Sequence, residues 1–159
     1  IAGWRASAVG FGYPLILGLE AQQQMARGEQ ALAAELLDEA LEAVERAGER
    51  YFEAEILRLK GELAFRSEDP AAGRSWLDRS LETAREQGAL SLELRAATSL
   101  VRWCGQSDPS ISGDALVPCL SGFPGALQTR DLVEARELLA SQSRTPLPLV
   151  TEPVDIART

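Results

Sequence analysis

The sequence predicts an all-α fold: helical hairpins stacked as a solenoid of about three units, the third degenerate, closed by one C-terminal helix. Two observations predict it. The stretch from Ala40 to Glu49 returns from Ser80 to Ala89, with Leu, Glu and Gly matched at 41/81, 42/82 and 48/88, and Glu53 echoed by Glu93. Self-similarity at a period of twenty to fifty residues marks units too small to bury their own apolar faces, which must therefore stack on neighbours. In addition, apolar residues recur at three- and four-residue steps from about residue 14 to 104, in a chain rich in Ala, Leu, Glu and Arg and poor in aromatics.

The elements follow in order. A first helix is expected from Pro14, a residue suited to an opening turn, to just before Gly28. A second, about Glu29 to Ala47, carries Leu32, Leu36, Leu37, Ala40, Leu41 and Val44 as an apolar stripe and stops at Gly48. The third, about Tyr51 to Arg66, uses Ile56, Leu57, Leu59, Leu63 and Phe65. Asp69 as N-cap and Pro70 at the first position open the fourth, which places Trp76, Leu77, Leu81 and Ala84 inward and ends near Gly88. A fifth runs from Leu90 to Cys104. Pro109, Pro118, Gly122 and Pro124 then limit any helix between 105 and 128 to a short or kinked one. Regularity returns over Leu132–Leu139, capped by Thr129 or Asp131. The expected organisation is a repeat domain over 1–142, with units of about 13–50, 51–90 and 91–128 and a final helix over 129–142. The Pro-rich tail 143–159 is expected to be extended or disordered.

Composition restricts the function classes. The 159 residues suffice for one domain with a core, and the net charge of −8 argues against nucleic acid. Residues 20–89 hold sixteen Asp/Glu against nine Lys/Arg, an acidic block best read as solvated helix faces. The sequence has no His, which excludes imidazole catalysis and His metal ligands. Cys104 and Cys119, without CxxC spacing, read as small buried residues in a reducing cytoplasm. The apolar run Ala8–Leu19 is too short to span a bilayer, where ~20 residues are needed, and lacks the marks of a signal peptide. A start at Ile1 is expected of a fragment of a longer protein.

Set in a forty-residue register, first-helix positions are Leu17 and Ala21, then Leu57 and Gly61, then Ala97 and Val101. Second-helix positions are Ala33, Leu37 and Ala40, then Gly73, Leu77 and Ser80, then Gly113, Val117 and Leu120. Small residues let backbones approach and the large one fills the gap. This small–large–small pattern resembles the tetratricopeptide repeat, at a period longer than its usual ~34 residues. More particularly, Arg50–Leu63, Ser91–Leu100 and Thr129–Leu139 resemble the C-terminal repeat region of large bacterial adenylate/guanylate cyclases and winged-helix regulators with an AAA/STAND-type ATPase domain. The resemblance covers about residues 13–104 and 129–140 and departs at 105–128, where Gly122-Phe123-Pro124-Gly125 keeps only part of the family's turn. It implies an all-α regulatory module whose parent's catalytic domains lie elsewhere.

No phosphate loop, dinucleotide fingerprint, nucleophile elbow or calcium loop occurs. The carboxylate row Glu35, Asp38, Glu39, Glu42 and Glu45 reads as a solvated face rather than a cation site. Glu42 with Arg46 and Glu62 with Arg66 are spaced as i, i+4 pairs. No catalytic, cofactor or metal residues are therefore assigned, and the chain is expected not to be an enzyme. The candidate partner groove consists of first-helix faces: Gln22 and Met25, then Glu55, Arg58, Glu62, Phe65 and Arg66, then Arg95, Thr98 and Arg102. Its arginines form a ladder suited to an extended acidic or polar peptide. The expected function is thus a cytoplasmic protein-interaction or regulatory scaffold that binds a protein or peptide, or other domains of its parent, and neither nucleic acid nor membrane. The alternative is an oligomerisation element that self-associates through the apolar Val9–Leu19 segment. A third reading, a small-molecule sensor, would draw on Trp4, Trp76 and Trp103.

Overall fold

The computed structural model describes residues 12–108 and 110–143, and all secondary structure among them is helical. Helix α1 (Tyr13–Arg27) pairs with α2 (Gln30–Ala47), and α3 (Glu53–Arg66), entered through a 3-10 turn at Arg50–Phe52, pairs with α4 (Pro70–Glu86). Helix α5 (Leu90–Cys104) follows, then a 3-10 turn at Gly113–Ala115, the short α6 (Leu116–Ser121) and α7 (Arg130–Ser143). The odd-numbered helices form a row in which α1 touches α3, α3 touches α5 and α5 touches α7. The even-numbered helices lie along one side of that row: α2 rests on α1 and α3, α4 on α3 and α5, and α6 on α5 and α7. No described helix is long and apolar enough to cross a membrane. Trp4, the Val9–Phe11 part of the apolar segment and the tail beyond 143 lie outside the described residues.

Local chemistry sets these boundaries. Pro14 fills the opening turn of α1, and the Asp69 carboxylate accepts the Ala72 N–H at 3.0 Å to cap α4. The forty-residue register appears in the backbone itself. Gly48 and Gly88 both take left-handed conformations, φ 68° and 62°, one residue or two after α2 and α4 end. The turn inside the first hairpin is left-handed at Gly28 (φ 84°). Forty residues on, the corresponding conformation falls on Glu68 (φ 61°), the one described non-glycine with positive φ.

Packing reproduces the small–large–small pattern in the first two hairpins. Leu17, Ala21, Ala33, Leu37 and Ala40 are all buried, and so are Leu57, Gly61, Gly73, Leu77 and Ser80. Gly61 and Gly73 leave no room for a side chain between α3 and α4. A Cβ on Gly61 would lie 2.7 Å from two Leu77 carbons, and one on Gly73 would lie 2.5 Å from the Phe65 ring. Ser80 sits where the first hairpin has Ala40 and donates its hydroxyl to the Ala54 carbonyl at 2.7 Å, so a buried polar group is satisfied without opening the interface.

The third hairpin departs from its expected register. Gly113 is buried, but Val117 is 49 % exposed, and the core position passes to Leu116 with Cys119 beside it. The side chains on this helix have therefore slipped by one residue, and α6 spans only six residues, with Pro118 inside it. Proline at the third position of a helix donates nothing that the first turn requires, which is why a short helix tolerates it and a full-length one would not.

Candidate functional site

Positions that line the cleft or the notch beside it recur every forty residues along the odd-numbered helices: 15, 55 and 95; 18, 58 and 98; 22, 62 and 102. Because α1, α3 and α5 stand side by side in one register, these positions share a face. The structure brings Gln22, Arg58, Glu62, Arg95, Thr98 and Arg102 into one polar cleft of about 180 Å³. Ser99 of α5 and Arg130, Asp131 and Glu134 of α7 complete its walls.

Arg58 forms the floor. Its Nη1 donates to Glu62 Oε1 at 2.5 Å and to Ser99 Oγ at 3.2 Å, and its Nε and Nη2 donate to the two Glu55 oxygens at 2.9 and 2.8 Å. Ser99 Oγ in turn donates to Glu62 Oε1 at 2.7 Å. Helical spacing makes this possible, since Glu55 and Glu62 sit three residues before and four after Arg58 on one face of α3. Burial works to discharge Arg58, but the hydrogen bond and charge of Glu55, with Glu62 and Asp131, outweigh it and hold the guanidinium pKa above its ordinary value. The rim is looser. Arg95 reaches Glu55 at 3.0 Å and Asp131 at 3.7 Å, and Arg102 pairs with Glu134.

Several sequence expectations are corrected here. The arginines are not a free ladder, because Arg58, Arg95 and Arg102 all have carboxylate partners. Counted with Glu55, the four arginines and four carboxylates of the site cancel in formal charge. Arg58 and Thr98 are buried rather than exposed, and the Thr98 hydroxyl is turned to the Leu94 carbonyl at 2.7 Å. Glu62 takes Arg58, not Arg66, which is exposed and lies outside the cleft lining. Met25 is a core residue beside Ala33 and Leu36. Phe65 lies over the space left by Gly73 and stacks on Trp103, with ring centroids 5.2 Å apart. Arg46 donates to the Glu42 backbone carbonyl at 3.3 Å rather than to its carboxylate.

Ser99, Arg130, Asp131 and Glu134 are the cleft residues that sequence reasoning missed. The signal for Ser99 was its position forty residues after Leu59, where a hydroxyl interrupts an apolar ridge. For α7 it was the start at 130, forty residues after α5 begins, which places this helix in the same row.

Beside the cleft, and sharing Gln22 and Arg95 with it, is an apolar notch of about 100 Å³ among α1, α3 and the start of α5, walled by Leu15, Leu19, Phe52, Ile56 and Leu92. Glu55 stands at the boundary between the two. Elsewhere, burial raises the pKa of the Cys104 and Cys119 thiols, which opposes a reactive thiolate at either. Trp76 is half-buried and lies within cation–π distance of Lys60 and Arg79, at 4.6 and 4.7 Å from its ring centre. Within the acidic row of α2, Asp38 pairs with Lys60 and Glu39 accepts the Tyr13 hydroxyl. Comparison with protein-family models, with curated proteins and with solved structures finds no match to this chain.

Proposed function

We propose that this chain is a non-catalytic interaction module, a tetratricopeptide-like helical repeat from a larger cytoplasmic regulatory protein of the cyclase, signalling-ATPase or transcriptional-regulator kind. Its task is to hold an extended protein segment, from a partner or from its own parent, in the polar cleft across α3, α5 and α7. The observation that carries this reading is the convergence of register-equivalent side chains from successive helices on one cleft whose floor is fixed and whose rim is loose.

The floor and rim have different roles. Arg58, Glu62 and Ser99 satisfy one another and present a rigid polar surface. The Arg95–Asp131 and Arg102–Glu134 pairs are 30–40 % exposed, and such pairs contribute only about 0–1 kcal/mol, so their donors and acceptors can transfer to a ligand's backbone amides at little cost. Charge balance favours a polar, nearly neutral segment over a strongly acidic one. The adjoining notch takes one apolar side chain of that segment.

The test is a peptide selection by phage display on the chain, followed by titration of the selected segments against Arg95→Ala/Arg102→Ala. A loss of at least about tenfold in affinity, with the fold intact by circular dichroism, supports the reading. Equal affinity for the variant sinks it.

A further inference from the structure

The cleft opens at one end into a second space. Toward the C-terminal ends of α5 and α7 lies a hollow of about 640 Å³ among Val101, Ile111, Ser112, Leu138 and Gln142, and Arg102 walls both it and the cleft. The cleft in turn shares Gln22 and Arg95 with the notch. Hollow, cleft and notch therefore follow one another as a track from the end of α7 to α1. Ser141 and Gln142 line the hollow, so the chain leaves α7 at the entrance of that track. Within the cleft one arginine stands apart. Arg58, Arg95 and Arg102 each hold a carboxylate, whereas Arg130 is exposed and makes no ion pair or hydrogen bond among the described residues.

We infer that the chain's own residues 144–159 are a cis occupant of this track, closing the cleft until a competing segment displaces them. The inference rests on the reading of the cleft as a holder of extended segments and names one such segment. Its chemistry fits the track. Arg144 and Arg158 balance Glu152 and Asp155, which matches a cleft whose own charges cancel. Pro146, Pro148 and Pro153 oppose a continued helix and favour extended backbone. Length fits as well. Gln142 and Arg130 are twelve residues apart in sequence, about 18 Å along α7, and about six residues of extended chain cover that distance. Val150 then stands at the level of the cleft, and Glu152 comes to Arg130. Two helix spacings of about 9 Å each lead on to the notch and bring the apolar Ile156 there. Tethering supplies an effective concentration of order millimolar, so modest intrinsic affinity suffices to close the site.

The experiment compares amide chemical shifts of the isotope-labelled full chain with those of its Glu152→Lys/Ile156→Asp variant. Release of the tail is expected to shift Leu92, Arg95, Arg102 and Arg130, independently of protein concentration. It is also expected to raise the affinity for a selected segment at least about threefold, the factor lost by a site closed two-thirds of the time. Arg130→Glu is expected to reproduce the shifts at Leu92 and Arg95, and Arg130→Glu/Glu152→Lys to reverse them. Shifts confined to 144–159 or to the hollow, shifts that fade on dilution, a charge swap that restores nothing, or an unchanged affinity each overturn the inference. Segments that bind both chains equally, yet weaken with Arg95→Ala/Arg102→Ala, overturn it while leaving the cleft reading in place. Segments indifferent to those two arginines count against the cleft reading itself.

Discussion

Replacing Arg58 with Met keeps most of the side chain's apolar stem and deletes the guanidinium at the centre of the cleft. Glu62 then loses its 2.5 Å bond and keeps only the Ser99 hydroxyl, while Glu55 loses two bonds and keeps Arg95 at 3.0 Å. The three side chains are 7, 12 and 13 % exposed, so either carboxylate can be rehydrated only from the side that opens on the cleft or the notch. Removing one partner of a buried pair costs about 3–5 kcal/mol. Since each carboxylate keeps one partner, the lower end applies, about 3 kcal/mol, a large part of the ~5–15 kcal/mol that holds a domain folded. Adding Glu62→Met removes the stranded charge and should recover about 2 kcal/mol, a coupling typical of residues in one network. Urea unfolding followed by circular dichroism, at constant m, reads both values. A loss below about 1 kcal/mol for Arg58→Met, or additive effects in the double variant, would mean that the floor is solvated and the account of the cleft wrong.

Two glycines one hairpin apart should respond in opposite directions to alanine. In Gly73→Ala the new methyl meets the Phe65 ring at 2.5–3.0 Å, and Trp103 behind the ring limits its retreat. Overpacking of about 1–3 kcal/mol set against a ~1 kcal/mol helix-propensity gain leaves a net loss of up to about 2 kcal/mol, so the variant is expected to lose ~1 kcal/mol. In Gly18→Ala the nearest atoms are 3.8 Å away and the propensity gain survives as ~0.5–1 kcal/mol of stabilisation by the same urea assay. Acid sensitivity is a third test. The Ser110 hydroxyl and N–H, with Arg74, lower the Asp108 pKa below 3.8, so the native state holds fewer protons there. The contribution of this group is in full above about pH 4 and disappears as pH falls through the lowered value. Asp108→Asn should therefore flatten the fall in Tm below pH 4 and leave its slope at pH 6–8 unchanged.

The hairpins were legible because each forty-residue unit repeats its contact positions. The chemistry that fixes Leu17, Ala21 and Leu37 in the core fixes Leu57, Gly61 and Leu77 as well. The third hairpin was not, since Pro118 permits only a short helix and Leu116 displaces Val117 by one residue. The cleft was half legible. Equal register placed Gln22, Glu62 and Arg102 together, yet spacing alone does not tell a free arginine from one already held by a carboxylate on the next turn. Phe65 illustrates the remaining gap. Its position on α3 faces near the cleft, but Gly73 on another helix opens the space that its ring takes.

Chemical-shift mapping of an isotope-labelled chain titrated with a selected segment shows directly whether the cleft holds that segment. Perturbations are expected along one face of α3, α5 and α7, at Arg58, Glu62, Arg95, Ser99, Arg102 and Glu134, and extending into the α1 notch at Leu15 and Leu19. Perturbations confined to the outward faces of α2 and α4, with the cleft unmoved, would contradict it.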